Sequence, residues 1–323
     1  MPNTTENSLK NIRTDVQQDI RNNIPSKLRS IFAVYRLPIV SGFLIGTSYI
    51  PFPPWALFFC LVPLLLFWNT STNPRQAFLG GWITQFILNL IGFHWIAYTA
   101  IEFGHFPWWG GVLTLLGFAS IAHLHYALAG AIGVWLSRRF QLKAWSRLLV
   151  FVTAFALCDH RYPMIFPWHL GYPWLWMGLP GSQFADVIGF EGLNIATIFI
   201  NGFLALTVIS FFAHNRRRAA QFAGAAVAAF LALNLAGLGR AEPWKKTDAE
   251  INVLAVQGNI GNFEKMMVEK GTFFRRPIVD KYIELSQDGL NKNKGTDLII
   301  WPETAFPTVL DAGYSNELLA ATV

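Results

Sequence analysis

Cysteine is nearly absent: Cys60 and Cys158 are the only two in 323 residues, far apart and each within an apolar run. They imply no disulfide framework and no metal framework. Charge is scarce as well, at 14% of residues against 53% apolar and 15% aromatic. That is too apolar for an ordinary soluble protein of this length. The scarcity is local. Residues 1–36 hold six basic and three acidic groups, residues 37–240 ten and four, and residues 241–323 nine and twelve. The change of solvent therefore falls near residue 240. Three regions follow: a polar basic arm (1–36), a membrane domain (37–240) and the start of a water-facing domain (241–323). No cleavable signal peptide is expected, because the first apolar run begins only after the polar arm. The net charge of +6 does not point to nucleic acid, since the basic residues sit in short clusters between apolar runs.

A bilayer core of ~30 Å takes about 20 apolar residues as a helix. Seven candidate spans are present, at about 37–50, 54–68, 77–101, 108–136, 145–160, 188–213 and 219–238. Pro51, Pro53 and Pro54 separate the two short ones, which predicts a tight helical hairpin there. Arg75, the cluster Arg138, Arg139, Lys143 and Arg147, and the triplet Arg216–Arg218 occupy alternate loops, and the arm is also basic. The intervening loops carry Arg161 alone. Lys and Arg accumulate on the cytoplasmic side, so the N-terminus is expected there and residues 241 onward outside.

The loop from Tyr162 to Trp176 is dense in Pro, Trp and Tyr. It reads as an interfacial belt or as a re-entrant wall beside a lateral lipid port near Trp108 and Trp109. Eight ionisable groups lie in or near the spans: His94, Glu102, His123, His125, Asp159, His160, Asp186 and Glu191. Such groups are costly in a bilayer, yet most fall near predicted helix ends. His123 and His125 diverge by about 200° on a helix, so a haem would need His94 to pair with one of them. Cys158-Asp159-His160 resembles a metal triplet, but adjacent helical residues point apart. No metal and no cofactor is expected.

The tail is more ordered. Ile251 to Val256 reads as a strand ended by the turn signal Gln257-Gly258-Asn259. Residues 264–290 read as an amphipathic helix after an irregular start, with Pro277 near its beginning. Asp297 to Trp301 forms a second strand. Such a βαβ unit gives parallel neighbours, and Pro302 places Glu303 just past the strand's carboxyl end, where α/β folds carry reactive groups. Trp301 and Phe306 are candidate apolar walls that would adapt the carboxylate to general-base work.

Val256-Gln257-Gly258-Asn259-Ile260, followed by Leu298 to Pro307, resembles the opening of a carbon-nitrogen hydrolase (nitrilase-like) domain, in the variety found in the apolipoprotein N-acyltransferase family. Gly92-Phe-His-Trp95, Phe166 to Tyr172 and Gly189 to Asn194 are similar to that family's membrane segments, in the same order. The resemblance covers about residues 37–310. It implies a bacterial inner-membrane enzyme that moves a fatty acyl chain from a phospholipid to the α-amino group of a lipoprotein's diacylglyceryl-cysteine, through a Cys thioester. Glu303 would be its general base, and a Lys would stabilise the oxyanion.

The sequence departs from that pattern after Glu303, where it has neither Lys nor Cys. The expected fold is thus a multi-span α-helical membrane domain followed by an incomplete nitrilase-like α-β-β-α sandwich. By themselves these residues are expected to be catalytically incompetent. A frameshift, a split gene with a second chain completing the hydrolase domain, or a fragmentary record would each account for the departure. Met266 stands where relatives are expected to carry an aromatic residue near the substrate. Two other classes remain open: a non-catalytic membrane module binding lipid or lipoprotein, and a small-molecule transporter. The transporter reading is disfavoured by the lack of internal repeats and of paired intramembrane charges.

Overall fold

The computed structural model describes residues 26–49, 51–244, 250–261, 275–303 and 305. The polar arm to residue 25, Met266 with the irregular start of the tail helix, Phe306 and Pro307 lie outside the described residues. The chain divides into two compact units, one ending at Trp244 and the other beginning at Lys245.

The first unit is helical. It comprises α1 (Ser26–Gly46), α2 (Val62–Thr70), α3 (Pro74–Gly92), α4 (Trp95–Glu102), α5 (Trp108–Ile121), α6 (His125–Arg139), α7 (Ala144–Arg161), the short α8 (Tyr172–Trp176), a 3₁₀ turn (Pro180–Phe184), α9 (Ala185–Phe212) and α10 (Arg216–Trp244). Among the described residues three stretches are long and apolar enough to cross a membrane: Trp108–Arg139, Pro180–Phe212 and Arg216–Arg240. The pair α3 and α4, bent by 59° at its break, makes a fourth if it is one broken span rather than a re-entrant loop. Each of the seven apolar segments read from the sequence contains helix, but not each as one long helix, and the first half of 54–68 is not helical. α2 has nine residues, and α7 carries Arg147, Asp159, His160 and Arg161 within its eighteen. The apolar part of α1 runs only over Phe32–Gly46.

The expected hairpin of two short helices around Pro51–Pro54 is replaced by turns that continue to Leu61. Proline lacks an N–H and clashes with a preceding helical turn, so the second helix starts late. One side of these turns is nevertheless buried, with Ala56, Leu57 and Cys60 at 0% exposure, while Phe52, Trp55 and Phe59 are exposed. Buried backbone polar groups need partners, and side chains supply them. The Leu61 N–H donates to Asn201 Oδ1 at 2.9 Å and Asn201 Nδ2 donates to the Leu57 carbonyl at 3.0 Å. The Ala56 N–H donates to Ser48 Oγ, and Ser41 Oγ donates to the Cys60 carbonyl.

The core of this unit centres on Trp68, fully buried against Phe151 and Phe155, with its indole N–H on the Ala77 carbonyl at 3.0 Å. Small residues let the helices close around these rings. A Cβ at Gly133 of α6 would stand 2.2 Å from the Phe151 ring of α7, and one at Gly130 would stand 2.4 Å from Trp68 Nε1. α9 bends at Gly189, whose φ of 68° breaks the helical run; a glycine adopts that conformation at no steric cost.

The second unit holds β1 (Val253–Ala255), α11 (Arg275–Lys292) and β2 (Leu298–Ile300). β1 and β2 pair in parallel, Val253 opposite Leu298 and Ala255 opposite Ile300. Both strands are shorter than the apolar runs that foretold them. Val256, Ile278, Tyr282 and Ala305 form a small core, with Leu254, Ile260 and Trp301 packed on it.

Candidate functional site

Glu303 follows β2 by three residues and is exposed. Trp301 is turned to α11, where its ring stacks on Tyr282 at 5.3 Å and its indole N–H donates to Ser286 Oγ at 2.9 Å. The Ala305 N–H closes a turn on the Pro302 carbonyl at 3.1 Å, which fixes the backbone on either side of the carboxylate. The base of the tip is tied as well, since Asp297 Oδ2 accepts the Asn252 N–H at 2.9 Å. Gly258 lies under Tyr282, where a Cβ would meet the ring at 2.7 Å. The glycine of the Gln257-Gly258-Asn259 turn is thus dictated by close approach. The described residues place Glu303 on a braced tip without an apolar enclosure, and Trp301 serves the core rather than covering the carboxylate. Phe306, the other expected wall, lies outside the described residues.

The first unit assembles a second constellation that sequence reasoning did not anticipate. Asp159, in the last turn of α7, is 5% exposed and collects groups from three other segments. His125 Nε2 of α6 stands 3.1 Å from Oδ1, at ion-pair distance but without hydrogen-bond alignment. His169 of the aromatic loop donates from Nδ1 to Oδ2 at 3.2 Å, and Asn194 of α9 donates from Nδ2 to the same oxygen at 2.5 Å. Asn194 Oδ1 in turn accepts the Leu170 N–H at 2.8 Å. The carboxylate, by accepting this hydrogen bond, raises the His169 pKa above its ordinary value of 6.5, against the opposing effect of burial.

Alongside it, His123 Nδ1 lies 2.7 Å from Asn89 Oδ1, Asn89 Nδ2 donates to Gln85 Oε1, and Gln85 Oε1 also accepts the His123 N–H. His94 is exposed, with Nδ1 on the Ile91 carbonyl at 2.8 Å. His160 and Glu191 form an exposed pair at 2.8 Å. Asp159 is therefore buried, although its place near a predicted helix end had suggested access to water or headgroups, and His123 and His125, in the middle of a predicted span, are buried as well. No paired intramembrane charge was read from the sequence, whereas Asp159 is paired with two histidines. His169, Asn194, Asn89 and Gln85 were missed altogether.

The aromatic loop is only partly a surface belt. Trp168 and Leu170 are buried, and Trp174 is fully so, its indole N–H on Thr197 Oγ1 at 2.7 Å. Ile165, Phe166, Leu175 and Trp176 stay exposed. A cavity of about 470 Å³ opens among Tyr49, Pro167, Tyr172, Leu175 and Trp176. The loop thus has a core-facing half that locks it to α7 and α9 and an aromatic half that borders a pocket.

These features define a helical domain of membrane-protein composition, followed by a parallel βαβ opening that ends in Trp-Pro-Glu. Residues 41–203 match the family model described as the apolipoprotein N-acyltransferase N-terminal domain. The chain is 42% identical over 280 residues to the apolipoprotein N-acyltransferase of Bdellovibrio bacteriovorus, covering 86% of this chain and 50% of that protein. It is 28% identical over 304 residues to the Shewanella oneidensis protein of that name, covering 93% and 53%. The Pseudomonas syringae pv. tomato protein, also so named, is 29% identical over 287 residues, covering 85% and 52%. The chain belongs to the apolipoprotein N-acyltransferase family. It spans about half the length of the curated relatives it matches.

Proposed function

We propose that these residues form the membrane domain and the opening of the hydrolase-like domain of an enzyme that N-acylates bacterial lipoproteins. The acyl donor is a phospholipid, and the acceptor is the α-amino group of a diacylglyceryl-cysteine. Glu303 is the general base. It takes the proton of a Cys thiol, the thiolate attacks the ester carbonyl, and the C–O bond breaks to release a lysophospholipid alcohol that takes up a proton. In the second half-reaction Glu303 takes a proton from the acceptor amine, the C–S bond breaks, and an amide and the free thiol result. The nucleophilic Cys and an oxyanion-stabilising Lys must come from outside the 323 residues. Cys60 is fully buried and Cys158 half-buried in the helical unit, so neither serves.

The observation that carries this reading is the position of Glu303, just past the carboxyl end of a strand in a parallel pair, within a chain of this family. The alternation of basic loops supports a multi-pass arrangement in the inner membrane, with the N-terminus cytoplasmic and Glu303 periplasmic. On this reading the C-terminal half of the Bdellovibrio relative carries the Cys and Lys, and fusing residues 1–323 to it would complete the site. The fusion should transfer palmitate from phospholipid to a diacylglyceryl-cysteinyl peptide, and residues 1–323 alone should not. Glu303→Gln in the fusion should lower the rate by at least about 10²-fold. Full activity of that variant would refute the assignment of the base.

A further inference from the structure

Where α2 hands over to α3 and α6 hands over to α7, Thr72, Asn73, Ser137, Arg138 and Arg147 line an open cavity of about 440 Å³, with Thr72, Asn73 and Arg138 exposed to solvent. It lies at the opposite end of α6 and α7 from Asp159, a helix length of about 20 Å away. Among the described residues its charge is uncompensated. No Asp or Glu occurs between residues 20 and 101 or between 103 and 158, and neither arginine forms an ion pair among the described residues. Arg147 donates from Nη2 to the Ser71 carbonyl at 2.7 Å, which pins the 71–73 turn beside α7. Its Nε is buried and has no hydrogen-bond partner among the described residues.

The guanidinium has five N–H donors, and its one side-chain bond among the described residues, to Ser71, leaves others of Arg147 for a ligand oxygen in the cavity. Asn73 caps α3, accepting the Arg75 N–H on Oδ1 at 2.9 Å. Among the described residues its amide N–H groups have no acceptor, and the Thr72 hydroxyl has no partner. The positive end of α3 adds to the field there. Ser137 is committed, donating to the Gly133 carbonyl at 2.6 Å, and it shapes the floor of the cavity rather than binding.

We propose that this cavity is a phosphate-binding site, with Arg138 and Arg147 as the charged clamp and Asn73 and Thr72 as neutral donors. Planar guanidinium forks match phosphate oxygens, and two arginines without a carboxylate suit a ligand carrying full negative charge. The proposal does not depend on the acyl-transfer chemistry proposed above. A phospholipid headgroup and free inorganic phosphate share the required chemistry.

The 1–323 protein in neutral detergent separates the two sources by its thermal midpoint. One arm titrates inorganic phosphate against chloride at equal ionic strength. The other titrates phosphatidylglycerol in mixed micelles against diacylglycerol, which has the same tails and no phosphate. Stabilisation by phosphate itself assigns a soluble source, and stabilisation by phosphatidylglycerol alone assigns the headgroup. In either case Arg138→Gln should weaken the apparent affinity about tenfold, the loss of one charge-assisted contact. Arg147→Lys, which keeps the charge and removes the fork, should weaken it too. Arg217→Gln, which neutralises an exposed arginine outside the cavity, should leave it unchanged. The proposal is overturned if neither ligand exceeds its control, if Arg138→Gln binds as the parent does, or if Arg217→Gln weakens binding equally.

Discussion

Asp159 is the residue on which the helical unit converges, because its two oxygens meet side chains from α6, the aromatic loop and α9. Asp159→Ala strips those partners of their acceptor while they stay buried, and breaking such an arrangement costs about 3 kcal/mol. The thermal midpoint in detergent should fall sharply. Asp159→Asn, which keeps an acceptor oxygen, should fall less, and equal losses would mean that the charge and its bonds are immaterial. His169 adds a pH dependence whose sign is fixed. Its folded pKa is raised above 6.5, mainly by the Asp159 hydrogen bond and further by the Asp159 and Glu191 charges. The stabilisation it brings is therefore complete below pH 6.5 and fades as pH rises through the raised value. Between pH 6 and pH 9 the parent should lose thermal stability relative to His169→Gln, and a constant difference between the two would refute the linkage.

Among the elements, those of the second unit were the more legible. The apolar run ending at Trp301, the turn at Gly258 and the proline after the strand announced β1, α11, β2 and the place of Glu303, since each signal is local. The Asp159 network was not announced, because its members come from four segments and only packing brings them together. A trace of it existed: Asn194, Thr197 and Asn201 recur at intervals of three and four in an otherwise apolar run, which marks one helix face. That stripe faces the core, where Asn194 serves Asp159 and Asn201 serves the turns before α2. The short span at 54–68 was misjudged for a related reason: apolar composition predicts burial, but prolines deny the backbone a helix, and side chains on α9 make good the difference. Contact between elements is also tight enough to test. Gly133→Ala brings a Cβ to 2.2 Å from the Phe151 ring, and overpacking of this kind costs about 1–3 kcal/mol. Phe151→Leu in the same chain should return part of the lost thermal midpoint, whereas additive losses would place the fault elsewhere.

Across the whole molecule, the proposed function requires Glu303 to lie on the side of the membrane where lipoproteins are met. α10 is the deciding element. Its Arg216–Arg240 stretch is apolar and long enough to cross, and only 11% of its most apolar window is buried within the protein. Leu231, Leu235 and Leu238 are exposed along it. Apolar side chains left uncovered over such a length require a lipid surround or a further protein surface. If α10 crosses, Arg217 before it and α11 after it lie on opposite sides, and the basic triplet assigns the cytoplasm to Arg217. The scarcity of cysteine makes this measurable, since Cys60 is fully buried and Cys158→Ser removes the other thiol. In that background, Gln287→Cys, at an exposed position of α11, should react with an impermeant maleimide on spheroplasts. Arg217→Cys should react only after lysis. Labelling of both positions from outside would mean that α10 lies along the protein or the interface, and the reverse pattern would place Glu303 in the cytoplasm, away from any exported lipoprotein.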